Sequence, residues 1–503
     1  MNTSRYVGGV VAATVISMTG PAAFAEVTSQ QVWDDWKTYM SDFGYDMQST
    51  ESANSSGLTV SDISMGIQIP EEDVTVTISM GDLNFVDNGD GTVSVEIPAV
   101  MPIVISGEGD GGEGSATINY TTTGFNMTVS GDANDMTYTY SAASVGMALA
   151  GIVAEGTPVD IGTAALEMTR VSGSTNMKIG NIRTSTQQVI SGPVTYSVDI
   201  KDPEGSNGRF VLNGGTESLN MQALVAVPGG MDMTEMVAAL AAGFAVEGAY
   251  DFGPSNVSFN FTDRGDTVQG KSQSDGGGLS LAMDEGGLAY AGSTSNIAME
   301  FAGGDIPFPI SLAMEEGGFE LLMPVSADDE AQDFSLGILL GDFTMSDFIW
   351  GIFDPSGQLP RDPATVALDV SGLVTLFANV MDPAAMESSD VPGEVNAVTV
   401  NELVVSAVGV ELTGQGDFEF DNSDLTSFDG IPKPVGAIDL ALVGANGLMD
   451  KLVAMGLLPE EQAMGARMMM GMFAVPGDGE DSLKSQIEFT EEGYVLANGQ
   501  RLK

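Results

Sequence analysis

The chain has 503 residues, of which 70 are Asp or Glu and 16 are Lys or Arg, for a formal net charge of −54. So acidic a surface repels phosphate backbones and anionic headgroups, which argues against nucleic-acid binding. Histidine and cysteine are both absent; this excludes Ser-His-Asp and Cys-His triads, ordinary zinc sites and disulfides.

The first 25 residues read as a secretory signal peptide. Arg5 precedes an apolar run from Val7 to Met18, Gly20-Pro21 breaks it, and Ala23-Phe24-Ala25 supplies a small-x-small site before Glu26. Cleavage after Ala25 leaves 478 residues (503 − 25) with 15 basic against 70 acidic groups, a net charge of −55. No cysteine follows to carry a lipid anchor, and no later segment approaches the ~20 apolar residues of a membrane span. With 43% hydrophobic residues the mature chain is rich enough for a large core. It is expected in the periplasm, without a transmembrane span.

A helix is expected next, because Val32, Trp33, Trp36, Tyr39, Met40 and Phe43 form a wide apolar stripe, with Ser29 as cap and Gly44 as stop. A long succession of alternating segments follows. Leu58 to Ile69, Val74 to Met80, Phe85-Val86 and Thr92 to Ile97 come first, the last two flanking the hairpin signal Asp87-Asn88-Gly89-Asp90-Gly91. Ala116–Tyr120, Phe125–Ser130, Met136–Tyr140, Ile190 to Ile200 and Arg209 to Val227 continue the pattern of an antiparallel meander. A short helix is expected over Thr234 to Phe244, then strands from Val257 to about Leu339. An echo, Leu281-Ala-Met-Asp-Glu-Gly-Gly-Leu288, recurs over Leu312 to Phe319 and more weakly over Phe489 to Tyr494; its acidic-glycine centre suits a hairpin turn with positive φ. Ser346 caps a helix over Asp347 to Phe353. Asp354 to Ala364 and Asp382 to Glu394 read as surface connections, Val395 to Phe420 as strands, Asn446 to Met455 and Pro459 to Phe473 as a helix pair, and the end as a hairpin at Asn498-Gly499.

Chemical motifs are weak. Gly265-Asp-Thr-Val-Gln-Gly270-Lys271-Ser272 matches a phosphate loop, but Gln273-Ser-Asp-Gly-Gly-Gly278 cannot hold the helix that the mechanism needs. Gly107-x-Gly109-x-x-Gly112 precedes a strand-like stretch instead of a helix, in a chain with 64 glycines. Thr175-x-x-Lys178 alternates like a strand. Met464, Met468, Met469, Met470 and Met472 are chemically suited to copper(I); polarizable core filler at a helix–sheet contact is the simpler expectation. The acidic clusters Asp110–Glu113, Asp328–Glu330 and Asp87–Asp90 lack EF-hand spacing. Two carboxylates would suffice for a glycosidase, yet nothing distinguishes one pair among so many. No catalytic, cofactor-binding or metal residue is therefore assigned, and no enzyme is expected.

The closing stretch carries a resemblance. Gly430-Ile-Pro-Lys-Pro-Val-Gly-Ala-Ile-Asp-Leu, Leu448-Met-Asp-Lys-Leu-Val-Ala-Met-Gly-Leu-Leu-Pro, Ala463-Met-Gly-Ala-Arg-Met-Met-Met-Gly-Met-Phe and Leu496-Ala-Asn-Gly-Gln-Arg, with Val32-Trp-Asp-Asp-Trp-Lys-Thr-Tyr-Met near the front, look like domain-of-unknown-function family 2125 of alphaproteobacteria. The resemblance implies an exported envelope protein and brings no catalytic residues. The end is also similar to periplasmic β-rich families whose curved sheets handle lipids, a likeness of fold alone.

The expectation is a mainly β (α+β) fold, a long curved antiparallel meander or half-barrel with a few packed helices. Residues 1–25 are the signal peptide, 26–345 the meander with its N-terminal helix, and 346–503 a mixed region closing the same fold. The expected function is non-enzymatic: binding a lipid or other apolar ligand, or assisting outer-membrane homeostasis, on a concave apolar sheet face that the helices and long connections either leave open as a groove or fill as core. The alternative is a structural or protein-interaction module with an unidentified protein partner.

Overall fold

The structure, a computed structural model, describes residues 26–69, 74–109, 112–203, 205, 207–230, 235–304, 306–389 and 391–503. The expected signal peptide and Asp110 lie outside the described residues. Strands occupy 63% and helices 12% of the chain, so the fold is mainly β. Among the described residues, thirty strands form one antiparallel sheet.

The ladder twice divides and rejoins. Strand Gly57–Ile69 pairs through its first residues with Leu83–Asp87 and through its last with Val74–Met80. The two branches meet again on strand Asp135–Ala154, whose halves pair with Asn126–Asp132 and Gly112–Thr123. Strand Gly162–Lys178 lies against Asp135–Ala154 and opens the second division: its end pairs with Ile182–Ser191 and its beginning with Val194–Lys201. One branch runs through Leu219–Pro228, Ala245–Phe252 and Gly276–Asp284. The other runs through Arg209–Thr216, Ser255–Asp263 and Asp266–Ser274. Both rejoin on Gly287–Gly303. From there the sheet continues in single file through Ile306–Met323, Gln332–Met345, Ala364–Leu376, Gly393–Ala407, Val410–Asp421, Lys433–Val443 and Ser482–Phe489.

Three of the long strands change partners where one residue turns left-handed, whereas Asp135–Ala154 does so without one. Asp62 (φ 54), Arg170 (φ 50) and Asn296 (φ 49) each sit between the two pairing halves of their strand. Asp and Asn tolerate this conformation because their short polar side chains bond locally; such a residue bends the strand as a bulge does.

Several expectations are corrected. The first helix spans Ser29–Asp42, and its cap is Thr28, which forms a capping box with Gln31. Ser29 instead gives its backbone N–H and hydroxyl to the Asp87 carboxylate, at 2.8 and 3.0 Å. The runs from Ile190 and from Arg209 each break in two, at Gly192-Pro193 and at Glu217-Ser218, because their parts belong to different branches. Of the helix expected over Thr234 to Phe244, Thr234 lies outside the described residues, and the helix spans Met236–Ala241. Only two copies of the echo are turns. Leu312 to Phe319 lies inside a continuous strand, and in the first copy Asp284 holds the turn by accepting from the Gly286 N–H at 2.8 Å, with no positive φ. The loop after residue 353 is anchored by Asp354, which is fully buried and accepts from the Gln358 and Leu359 amides, each at 2.9 Å. Helices Ala445–Ala454 and Glu460–Phe473 and the Asn498-Gly499 hairpin stand where the sequence places them.

Candidate functional site

Each strand alternates, so the registers decide whether the apolar positions line up. They do. From the second division onward, one row of cross-strand partners reads Val189, Met221, Tyr250, Leu279, Gly292, Phe319, Ile338, Leu368, Leu403, Gly414 and Leu440. The row two residues along each strand, or three along Gly393–Ala407 where the register shifts, reads Gln187, Ala223, Gly248, Leu281, Tyr290, Leu321, Leu336, Val370, Val400, Gly416, Ile438 and Ile487. Neither row contains a charged residue. The row between them, on the opposite face, carries Gln188, Gln222, Ser280, Glu320 and Asp369.

The apolar rows are exposed from Leu219–Pro228 to Gln332–Met345 and half-buried on the later strands. Met221 is 44% exposed, Leu281 41%, Phe319 40% and Tyr290 36%. An open row of this length is the kind of contiguous apolar surface that marks a binding site.

Glycine shapes the same face. A Cβ on Gly292 would stand 2.7 Å from the Phe319 ring, and one on Gly270 2.4 Å from Phe259 and 3.0 Å from Phe301. Each glycine thus leaves room for an aromatic ring to lie flat across the neighbouring strand. This answers the phosphate-loop match: Arg264 and Gly265 form the hairpin turn, and Asp266 to Ser274 is a strand on which Gly270 seats two phenyl rings. Gly107 and Gly112 likewise belong to a hairpin, and Thr175 and Lys178 to a strand.

At its N-terminal end the same face is closed. Val32 and Trp33 of the first helix are buried against Leu58, Val60, Phe85, Val93, Val129, Met136 and Met177. Met136, Met177 and Ser185 are successive cross-strand partners, which places the helix on the face of the apolar rows. The boundary is an ionic latch. Buried Arg183 pairs with buried Asp35 and reaches Asp42 at 3.3 Å, while Tyr138 donates to Asp35 at 2.9 Å. Burial, reinforced by the Asp35 charge, pushes the Tyr138 phenol well above its ordinary pKa.

Short helices line the margins. Leu240 and Phe244 pack on Val325 and on the strand ends at Val246, Met283 and Leu288. On the other margin Phe348 of helix Asp347–Phe353 stacks on Phe308, with ring centroids 5.3 Å apart. A cleft of 270 Å³ lies beside Trp350 and Arg361, below the ~300–1,000 Å³ usual for ligand pockets. The open face therefore outranks it as the candidate site.

The other sequence candidates fall elsewhere. Met464, Met468, Met469 and Met472 are 62%, 69%, 59% and 57% exposed, so they are not the core filler expected of them. Asp328 is occupied in its own loop, accepting from the Glu330 N–H at 3.0 Å, and among the described residues no group of three acidic side chains is placed to hold a metal. Glu320, raised in pKa by burial first and by the Asp369 charge second, stands on the polar face. No described helix is long and apolar enough to cross a membrane.

Fold and face together define a class: a mainly β protein with one long, uncharged sheet face left open by its helices. Residues 253–502 match the family described as uncharacterized protein conserved in bacteria (DUF2125), and through this C-terminal half the chain belongs to that family. The match takes in the quoted closing stretches and leaves out Val32 to Met40. No curated protein and no solved structure matches the chain.

Proposed function

We propose that the protein is exported to the periplasm after cleavage following Ala25 and there binds acyl chains, without catalysis, on its open apolar face. In this reading the sheet curves as a half-barrel around the ligand, with the margin helices as walls. The observation that carries it is the absence of any charged side chain from two apolar rows in a protein with 70 carboxylates. Burying a charge beside a hydrocarbon chain is costly, and these rows avoid it throughout.

The size supports a large ligand. The longer row crosses twelve strands, so its eleven spacings of about 4.8 Å extend roughly 50 Å. The hydrocarbon core of a whole bilayer is about 30 Å thick. More than one acyl chain fits along such a floor, as two ligands or as one amphiphile with several chains. The alternative, a protein-interaction module, draws on strand Asp46–Asn54, which pairs on one side only among the described residues.

Native mass spectrometry with lipid extraction, on protein purified from its own periplasm, tests the proposal. We expect added masses matching acyl lipids, lost in a Leu336→Asp variant. A clean apo mass for the unaltered protein would remove the ligand reading and direct crosslinking to the Asp46–Asn54 edge.

A further inference from the structure

We propose that Met464, Met468 and Met472 form a binding site for a cuprous ion. The three residues stand at i, i+4 and i+8 on helix Glu460–Phe473. One turn of rise, about 6 Å, separates each from the next, and all three lie within about 80° of the helix circumference. Methionine has three rotatable bonds, so outer thioethers at this spacing can swing toward the middle one.

Their exposure is what packing does not explain. The side of this helix that meets the fold is marked by buried Ala463, whereas the three methionines are more than half exposed. Gly465 and Gly471 flank the stripe, and a Cβ on either would meet nothing within 4 Å, so no neighbour crowds the sulfurs. The cation of this helix is turned away: Arg467 donates to Asn446 at 3.2 Å and to Asp450 at 2.6 Å. Glu461 falls on the same stripe and adds negative charge in an already acidic protein.

Thioether sulfur selects soft monovalent copper over zinc, calcium or magnesium, which prefer nitrogen or oxygen. A chain without cysteine or histidine has no thiolate or imidazole to compete. The site is independent of the acyl-chain reading, since it lies on the exposed face of the helix pair.

The test titrates full-length mature protein with copper(I) under anaerobic, ascorbate-reduced conditions, against a chromophoric copper(I) chelator. Unaltered protein is expected to withdraw one equivalent. The Met464→Leu/Met468→Leu/Met472→Leu variant keeps helix propensity and apolar bulk while removing every sulfur ligand, and should withdraw no copper at this site. Met470→Leu, on the inward side, should change nothing. Equal affinity of the triple variant and the unaltered protein, or no copper withdrawn by either, would overturn the proposal.

Discussion

The two ends of the sheet use the same strand pattern and differ in what lies over it. At the N-terminal end one amphipathic helix brings Val32 and Trp33 down onto strands from Gly57 to Lys178, and the apolar positions there are buried almost completely. Beyond Arg183 the pattern continues across eleven more strands, with helices only at the margins; seven of its apolar side chains, from Met221 to Ile338, remain about two-fifths exposed and the others are half-buried. A single helix of 14 residues marks the difference between core and site. The hydrophobic effect acts on both ends alike. At the open end the described helices of this chain leave the apolar rows partly exposed.

Unequal costs of truncation would sharpen that contrast. Trp33→Ala removes a ring that is 1% exposed and touches Trp36 and Phe85, and should destabilise by ~3–5 kcal/mol in urea unfolding. Phe319→Ala, of similar chemistry on the open face, should cost no more than about 1 kcal/mol in ligand-free protein. Equal losses would mean that the open face is core after all.

The boundary itself is the next target. Arg183→Met leaves Asp35 and Asp42 without their buried partner, and should cost about 3–5 kcal/mol. Arg183→Met combined with Asp35→Leu should recover much of that loss, because no charge is then left stranded at Asp35. The latch also sets an alkaline limit. Tyr138 is raised above its ordinary value in the folded state. Its contribution is complete below the unfolded pKa of about 10 and is lost as pH rises toward the folded value. Stability should therefore fall above about pH 10, and Tyr138→Phe should flatten that fall; an unchanged alkaline slope would place the titration elsewhere.

Much of the local structure was legible in the sequence, because hairpin signals such as Asp87 to Gly91 and Asn498-Gly499 are chemistry within a few residues. The dividing ladder was not. It depends on Asp62, Arg170 and Asn296 taking left-handed conformations inside otherwise regular alternation, and no local pattern marks an arginine for that role. The site was half legible. Alternation shows that Phe319 and Ile338 each lie on an apolar face, but only the register shows that they are neighbours in one uncharged row. Glycine misled once, as a turn at Gly317-Gly318, where the pair lies inside a continuous strand. The methionines misled in the opposite sense: apolar residues at helical spacing imply burial only where a partner surface exists.

Charge placed in the middle of the open face should separate function from fold. Leu336 is 39% exposed, so Leu336→Asp keeps its carboxylate hydrated in free protein and should leave the unfolding midpoint within about 1 kcal/mol of the parent. Acyl-ligand retention should nevertheless be lost, because a bound chain would desolvate the charge. Retained ligand would remove these rows from the site.

The smallest effect concerns the glycines that flatten this face. Gly292→Ala puts a methyl 2.7 Å from the Phe319 ring and 3.0 Å from a Leu279 methyl. Both are ends of side chains that can swing toward solvent, so the cost should lie near the low end of overpacking, about 1 kcal/mol. The ring must then rise from the sheet and stand in the path of a bound chain. If the flat ring serves only the sheet, as aromatic cover for a weak glycine position, the variant loses this stability and keeps its ligand. Loss of ligand out of proportion to so small a destabilisation would mean that the glycines keep the open face smooth for what lies on it.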